Sequence, residues 1–194
     1  MSMATGRPQS PQSPRKPRPF RWTRAHLTRL PDDGNRYEVL NGELLVTPQA
    51  GPRHQWLGVE LGATLMAYCN SHALGIVVGP GAVVFEKNEL QPDVQVIPIA
   101  RPIPVGTVWE SLPLPILVVE ILSPGSVRHD LHKKRSAYLG LGIPAYWAVD
   151  HEAKRVFVYE PGVDEPQLVT DTLHWQPRAG IPPLVIDLGA LLAG

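Results

Sequence analysis

The chain has 194 residues, of which 43% are hydrophobic and 7% aromatic, so it is long enough to bury one sizeable core. Its single cysteine, Cys69, excludes an internal disulfide framework and favours a reducing, cytoplasmic setting. No apolar stretch approaches the roughly 18 residues that a membrane span requires, so no membrane partner is expected. Residues 8–19 carry five prolines and no apolar segment of the secretory type, which argues against a secretory signal.

The first 29 residues differ in charge from the rest of the chain. They hold seven of the 18 lysine and arginine residues and no acidic residue. Together with the proline and serine content, this predicts a disordered basic arm over residues 1–29 and a single domain over residues 30–194. That domain has the other 11 basic residues against all 18 acidic ones, a balance of −7. Phosphate contacts are therefore expected from the arm or from local basic clusters, although a solubility role explains the arm equally well.

Residues 37–46 are predicted to form a β-hairpin, because Asn41-Gly42 is typical of a type I′ turn and lies between apolar residues. One face of the hairpin carries Glu38 and Glu43 among leucines. We take Glu43 as an auxiliary candidate for the shell of a metal ion, while a solvated acid at the sheet edge is the simpler explanation.

Residues 54–72 show the period of an amphipathic helix. His54 begins its apolar stripe and is a second auxiliary candidate, with a structural hydrogen bond at the helix terminus as the alternative. Residues 75–85 are predicted to be a pair of strands interrupted by Gly79-Pro80-Gly81.

Two acidic residues interrupt apolar runs that read as buried strands. Asp93 lies in residues 90–97 and Glu120 in residues 116–122. A buried carboxylate must be offset by a cation or by hydrogen bonds. Two carboxylates on adjacent strands would repel by roughly 4 kcal/mol at about 4 Å, so a shared divalent cation, Mg²⁺ or Mn²⁺, would stabilise both. Taken singly, each acid could instead pair with an arginine or cap a backbone group.

A lysine follows at helical distance. Residues 127–141 carry apolar side chains in steps of three and four, and Lys134 interrupts that stripe. One explanation is a snorkelling stem with Asp130 as its partner four residues earlier. The other is an ammonium directed at the sheet edge, where it orients a water and stabilises charge on a phosphorane. Residues 98–115 carry five prolines and are expected to be irregular, and residues 146–159 are predicted to form a second hairpin.

These residues carry a resemblance to a known family. The motifs are short but specific in combination, and they extend over residues 36–192: Tyr37-Glu38-Val39-Leu40-Asn41-Gly42-Glu43, Pro52-Arg53-His54, Pro92-Asp93, Val119-Glu120-Ile121-Leu122-Ser123-Pro124, Asp130, Lys134, Tyr138 and Tyr146-Trp147-Ala148-Val149-Asp150. The pattern resembles the Uma family of bacterial endonucleases, a branch of the PD-(D/E)XK restriction-endonuclease-like superfamily.

The resemblance implies an α/β (α+β) fold with a restriction-endonuclease-like core, in which helices flank a central mixed sheet and an N-terminal β-hairpin is added. It also implies a metal-dependent endonuclease in which Asp93 and Glu120 bind Mg²⁺ or Mn²⁺. In the superfamily pattern a lysine lies two residues after the second acid, and that position is Leu122 here. Lys134, from the following helix, is the expected substitute.

Partners follow from the same resemblance. Nucleic acid is expected, DNA by family likeness, with Arg128, Lys133 and Arg135 as candidate contacts and Asp130 as an auxiliary site residue. A homodimer is reasonable, since cutting both strands of a duplex commonly needs two active sites. The alternative is a nuclease-like binding or interaction module without significant catalysis, which Leu122 and the acidic domain both favour.

Overall fold

The computed structural model describes residues 20–193. Strands dominate this part of the chain, and their bounds are β1 (Arg36–Leu40), β2 (Glu43–Thr47), β3 (Ile76–Val78), β4 (Val83–Phe85), β5 (Asn88–Leu90), β6 (Val94–Ile97), β7 (Leu117–Ile121), β8 (Tyr146–Asp150), β9 (Arg155–Tyr159), β10 (Gln167–Val169), β11 (Thr172–Trp175) and β12 (Leu184–Asp187). The helical segments are α1 (Arg24–Leu27), α2 (Pro52–His72), a 3-10 turn (Trp109–Ser111), a π-helical turn (His129–Lys134), α3 (Arg135–Gly140) and α4 (Leu188–Leu191).

The centre of the molecule is a six-stranded mixed sheet in the order β10-β9-β8-β7-β6-β3. Only β7 and β8 run parallel, because the π-helical turn and α3 carry the chain back across the sheet between them. The other neighbours are antiparallel. This arrangement confirms the predicted α+β fold with a central mixed sheet.

The predicted N-terminal hairpin is present as β1 and β2, joined through Asn41 and Gly42, both of which have positive φ. The hairpin belongs to a larger sheet in the order β2-β1-β5-β4. Residues 75–85 do not form the predicted strand pair: β3 joins the central sheet and β4 joins the hairpin sheet. The chain changes sheets at Gly79, where an added Cβ would meet the Asp93 carbonyl oxygen at 2.1 Å, so only glycine fits.

Alternation along β7 divides the core between the two faces of the central sheet. Leu117, Val119 and Ile121 pack with α2 and with the β11–β12 hairpin. Val118 and Leu122 lie in the other cluster, with the hairpin sheet and Tyr138 of α3. Glu120 lies between Val118 and Leu122 in this alternation, so its side chain points to the same second face. It is therefore enclosed between the central sheet, the hairpin sheet and the π-helical turn.

Helix α2 confirms the predicted stripe, because Leu57, Leu61, Leu65 and Tyr68 are buried. It starts two residues before His54, with Pro52 at the first helical position, where a missing N–H costs nothing. Across residues 20–193, no helix combines the length and apolarity needed to span a membrane.

The predicted arm is ordered at its end. Residues 20–29 include α1, and the Trp22 and Arg24 amides donate hydrogen bonds of 2.9 Å to the carbonyls of Gly42 and Lys87. Disorder was therefore the wrong prediction for residues 20–29, because these hydrogen bonds attach the segment to the hairpin sheet. Residues 1–19 lie outside the described part of the chain.

Candidate active site

Asp93 and Glu120 lie on adjacent strands. Strand β6 pairs with β7 in the register Val94 to Val119, so Asp93 and Glu120 stand opposite one another one step further along. Both are almost fully buried, yet both line a cavity of about 310 Å³. Two loops, residues 47–51 and 123–126, form its other walls.

The Asp93 carboxylate is fixed by three donors. Oδ1 accepts a hydrogen bond of 2.8 Å from Nη2 of Arg36, and Oδ2 accepts one of 2.8 Å from the Ile121 amide. The imidazole Nε2 of His54 lies 3.2 Å from Oδ2. Burial raises the pKa of Asp93, but the His54 hydrogen bond and the Arg36 charge outweigh it, so the pKa is lowered overall. Asp93 is therefore a carboxylate at neutral pH.

His54 lies in the first turn of α2 and lines the same cavity. Its Nε2 is 2.8 Å from the Ile121 carbonyl oxygen, so Nε2 carries the proton that it shares with Asp93 and Ile121. Burial lowers the pKa of His54, but the hydrogen bond and charge of Asp93 reverse this effect and leave the pKa raised. The structure thus places this predicted auxiliary residue against the first acid.

Glu120 is held from the helical side of the cavity. Its Oε1 accepts hydrogen bonds from Nζ of Lys134 at 3.1 Å and from the Tyr138 hydroxyl at 3.0 Å. Burial raises the pKa of Glu120 well above its usual value, although the Lys134 charge lowers it. Three further carboxylates nearby, those of Asp130, Asp93 and Glu38, add to the rise.

Lys134 is 2% exposed and contacts three carboxylates. Besides Glu120, its Nζ lies 2.7 Å from Oε2 of Glu38 and 3.3 Å from Oδ1 of Asp130. Burial alone would lower the pKa of Lys134, but the three negative charges raise it. Lys134 is therefore a permanent ammonium, suited to stabilise negative charge and unsuited to act as a base.

The π-helical turn sets the phase of this helix. Wider turns bring residues four apart onto one face, so Asp130, Lys134 and Tyr138 all point inward and are buried. The predicted stripe put Val127 and Leu131 on that face; instead Val127 is 37% exposed and Leu131 only partly buried. The structure thus brings Asp130 into the site as the predicted partner of Lys134.

Glu38 is a site residue that sequence reasoning passed over in favour of Glu43. Both lie on the hairpin face that also carries Leu40 and Leu45, but Glu38 is 0% exposed. The Glu43 carboxylate is 55% exposed beside the turn and pairs with Lys133 at the surface. Strand pairing does not distinguish the two acids, because each stands opposite a buried leucine; the one signal within the hairpin is that Glu43 lies next to the turn and Glu38 does not.

The predicted nucleic-acid contacts lie outside the cavity. Arg128 is exposed, Lys133 pairs with Glu43, and the Arg135 guanidinium lies 5.2 Å from the centre of the Tyr159 ring. Three basic side chains that sequence reasoning did not select line the cavity: Arg36, Arg53 and His151.

The donor set suits a divalent cation bound mostly by water and substrate. Across residues 20–193, no three His, Cys, Asp or Glu side chains are grouped so that they could hold a metal ion alone. Mg²⁺ is usually held by one or two carboxylates. Each carboxylate oxygen has two lone pairs. Oδ1 of Asp93 uses one of them for Arg36, and Oε2 of Glu120 accepts no hydrogen bond from the described residues.

Comparisons with known proteins identify the family and the fold of the chain. A family model described as "Uma2: Putative restriction endonuclease" matches residues 24–189. The crystal structure of a putative nuclease belonging to DUF820, from Anabaena variabilis ATCC 29413, superposes with a TM-score of 0.67 at 19% identity. The match covers 88% of this chain and 97% of that chain, and at this identity it shows a shared fold. No curated protein matches the chain.

Proposed function

The chain belongs to the Uma2 family of putative restriction endonucleases, and from that premise we propose that it is a metal-dependent endonuclease. Asp93 and Glu120 bind Mg²⁺ or Mn²⁺, and the reaction is hydrolysis of phosphodiester bonds in nucleic acid, with DNA as the expected substrate. Asp93, Glu120 and Lys134 are the proposed catalytic residues. Family membership supports the nuclease assignment, and the charge balance of the buried cluster supports the metal.

That charge balance is the observation that carries the proposal. Four carboxylates, those of Glu38, Asp93, Glu120 and Asp130, are buried together, and the permanent cations among them are those of Arg36 and Lys134. If all four carboxylates are ionised and His54 is neutral, two negative charges remain, and the raised pKa values of Glu120 and Asp130 show that the cluster resists carrying them without a further cation. Buried charge of this size is costly without compensation. A divalent cation neutralises it, and the free lone pairs of Asp93 and Glu120 face the cavity where it would bind.

The protein's own groups have separate roles in this mechanism. A divalent cation in the cavity would polarise the scissile phosphate and lower the pKa of a bound water. Arg36 and the Ile121 amide keep the Asp93 carboxylate oriented, so its remaining lone pair is directed before substrate arrives. Lys134 holds Glu120 and supplies positive charge close to the developing negative charge on phosphate.

Leu122, at the usual position of the superfamily lysine, is 6% exposed and packs in the apolar cluster beneath the hairpin sheet. A lysine there would have to share space with that cluster. Lys134 instead approaches the same carboxylate from the π-helical turn, so the ammonium is retained while its backbone position has moved. This contact supports a competent site despite the departure from the superfamily pattern.

The direct test is cleavage of supercoiled plasmid by the purified chain with Mg²⁺, with Mn²⁺ and with EDTA. Asp93→Asn and Glu120→Gln keep side-chain shape and remove charge, so each is expected to lower the rate by at least a hundredfold. Lys87→Gln, which removes an exposed charge in the β4–β5 turn, is the matched control and should cut like wild type. Equal activity in all four proteins would mean a contaminating nuclease and would overturn the hydrolase assignment.

The same experiment separates the second candidate function, a nuclease-like binding module. The observations that favour this second candidate are Leu122 at the usual lysine position and the balance of −7 over residues 30–194. Such a module would bind DNA without cutting it under any metal condition. Parallel reactions with single-stranded RNA decide the substrate class. Light scattering decides the proposed dimer, whose basis is that two sites are needed to cut two strands.

A further inference from the structure

One face of α2 runs from a groove beside the carboxylate cavity toward a second pocket at the end of the helix, about 24 Å away at 1.5 Å per residue from His54 to Asn70. Residues in steps of three and four lie on this face, and each lines a cavity: Gln55, Val59, Gly62, Met66, Asn70 and Ala73. The opposite wall is β3, the edge strand of the central sheet. The groove starts at Arg36, His54 and Asp93, which line both the carboxylate cavity and the groove.

The groove is open because the helix residues on its floor are small. Its rim carries exposed apolar side chains. Gly58 and Gly62 carry no side chain, and an added Cβ at Gly62 would meet nothing within 4 Å. Val59 is 69% exposed and Met66 40% exposed, although both belong to the longest helix of the described chain. Trp109 lies across the far wall with its ring against Gly81 and 38% of its surface exposed.

Beyond the groove, at the end of α2, lies a pocket of about 670 Å³ with Arg101 and Arg178 among its lining residues. Arg178 donates one hydrogen bond of 3.0 Å to the His72 carbonyl at the end of α2, which leaves its other N–H groups free. Arg101 lies close enough to Cys69 to lower the pKa of that thiol electrostatically, although burial outweighs it and raises the pKa to about 11. Neither arginine forms a salt bridge with any of residues 20–193.

The charge of this surface is exceptional for the chain. Residues 30–194 hold 18 acidic and 11 basic residues, yet Asp93 is the only acid that lines the groove or the pocket at its end. Beyond Asp93 and its partner Arg36, the residues that line the groove and the pocket include no further acid and end in two arginines, which matches a polyanion that enters the carboxylate cavity. The α2 carbonyls at the pocket disfavour an anion, so the two guanidinium groups are what would hold one there.

We propose that this face of α2 is the track for the nucleic-acid backbone, and that Arg101 and Arg178 together bind one backbone phosphate remote from the cleaved bond. The inference rests on the proposed function for the identity of the polyanion. At about 3.4 Å per nucleotide along a duplex, 24 Å places that phosphate about seven nucleotides from the metal site. Affinity should therefore rise with substrate length until this contact is reached.

The test measures binding of the full chain, in EDTA, to a labelled 20-base-pair DNA duplex and to a labelled five-base-pair DNA hairpin. The double variant Arg101→Gln, Arg178→Gln removes the contact. The matched control is Lys87→Gln, Lys154→Gln, which removes two exposed charges away from the groove. Each lost phosphate contact reduces the slope of log affinity against log salt by about 0.9, so a reduction of about 1 is expected for the double variant on the long duplex. On the short hairpin, all three proteins should bind alike.

Equal salt slopes for wild type, variant and control on the long duplex would overturn the track. Inorganic phosphate is the second probe: if it stabilises the wild type and not the double variant while DNA affinities stay equal, the pocket is a small-anion site and the track is wrong. Binding in EDTA does not depend on turnover, so the two proposals can fail separately. If the double variant loses the dependence of affinity on DNA length while the wild type never cuts plasmid, the track is supported and only the proposed hydrolase activity is wrong.

Discussion

Asp93 and Glu120 stand opposite one another on neighbouring strands, but the protein treats them differently. Asp93 faces donors from β1 and α2 that lower its pKa, so it is ionised. Glu120 belongs to a buried group with Glu38, Asp130 and Lys134, where burial raises its pKa. The contrast shows that Arg36 of β1 and His54 of α2 set the state of Asp93, whereas Lys134 and Tyr138 of the helical segment contact Glu120, so variants can separate the two.

The largest effect on stability is expected from the buried group around Lys134. Lys134→Met keeps most of the side-chain volume but leaves three buried carboxylates without their cation, which should lower the free energy of unfolding by about 3–5 kcal/mol. Urea denaturation measures the loss. Lys133→Met is the control, because Lys133 makes a surface pair worth about 0–1 kcal/mol. Similar losses in the two variants would contradict the central position assigned to Lys134.

Metal addition should stabilise the protein, and more so at higher pH. Glu120 and Asp130 have pKa values raised above 4.5 and 3.8 in the folded state, so the metal-free fold binds extra protons and loses stability as pH rises above those values. Mn²⁺ at about 100 times its Kd adds about 2.7 kcal/mol, or about 5–10 °C in Tm for a chain of this size. Thermal unfolding at pH 5.5 and pH 8 checks this prediction. A larger Tm gain at the lower pH would contradict it.

A smaller effect is expected from the Asp93 side. The folded pKa of His54 is raised above 6.5, so its charged contact with Asp93 stabilises the fold below that pH and is lost as pH rises through the folded pKa. His54→Gln should therefore cost about 1–2 kcal/mol at pH 5.5 in EDTA and less at pH 9. Urea midpoints of wild type and variant at the two pH values measure the difference, and a pH-independent gap would rule out this contact.

The smallest effect is expected at the surface. Glu43→Gln removes a carboxylate that pairs only with Lys133, so the free energy of unfolding should change by about 0–1 kcal/mol and plasmid cleavage should not change. Glu38→Gln, on the same hairpin face, removes the shortest contact of Lys134 and should lower cleavage at least tenfold. Cleavage assays on the pair decide whether the hairpin contributes to the site through Glu38.

Much of the site could be read from the sequence because buried acids are rare. Asp93 and Glu120 interrupt apolar runs, and the period of residues 127–141 placed Lys134 on an inward face. Those three side chains line one cavity in the structure. The mixed sheet also followed from the resemblance, and the first hairpin from its Asn-Gly turn.

The rest depended on tertiary structure. The choice between Glu38 and Glu43 required knowing that a second sheet covers the middle of β1 and leaves the turn open. The inward position of Asp130 lies within the π-helical turn, and the hydrophobic periodicity of the sequence does not predict such a turn. Likewise, residues 75–85 look like one hairpin, and only the close approach of Gly79 to the Asp93 backbone shows that the chain changes sheets there.

Calorimetric titration of Mn²⁺ into wild type, Asp93→Asn and Glu120→Gln, each confirmed as folded by circular dichroism, tests the central claim most directly. We predict that wild type binds Mn²⁺ at the carboxylate cavity and that each substitution weakens binding at least tenfold, since both carboxylates are ligands. Unchanged Mn²⁺ affinity in either folded variant would contradict a cation shared by these two acids.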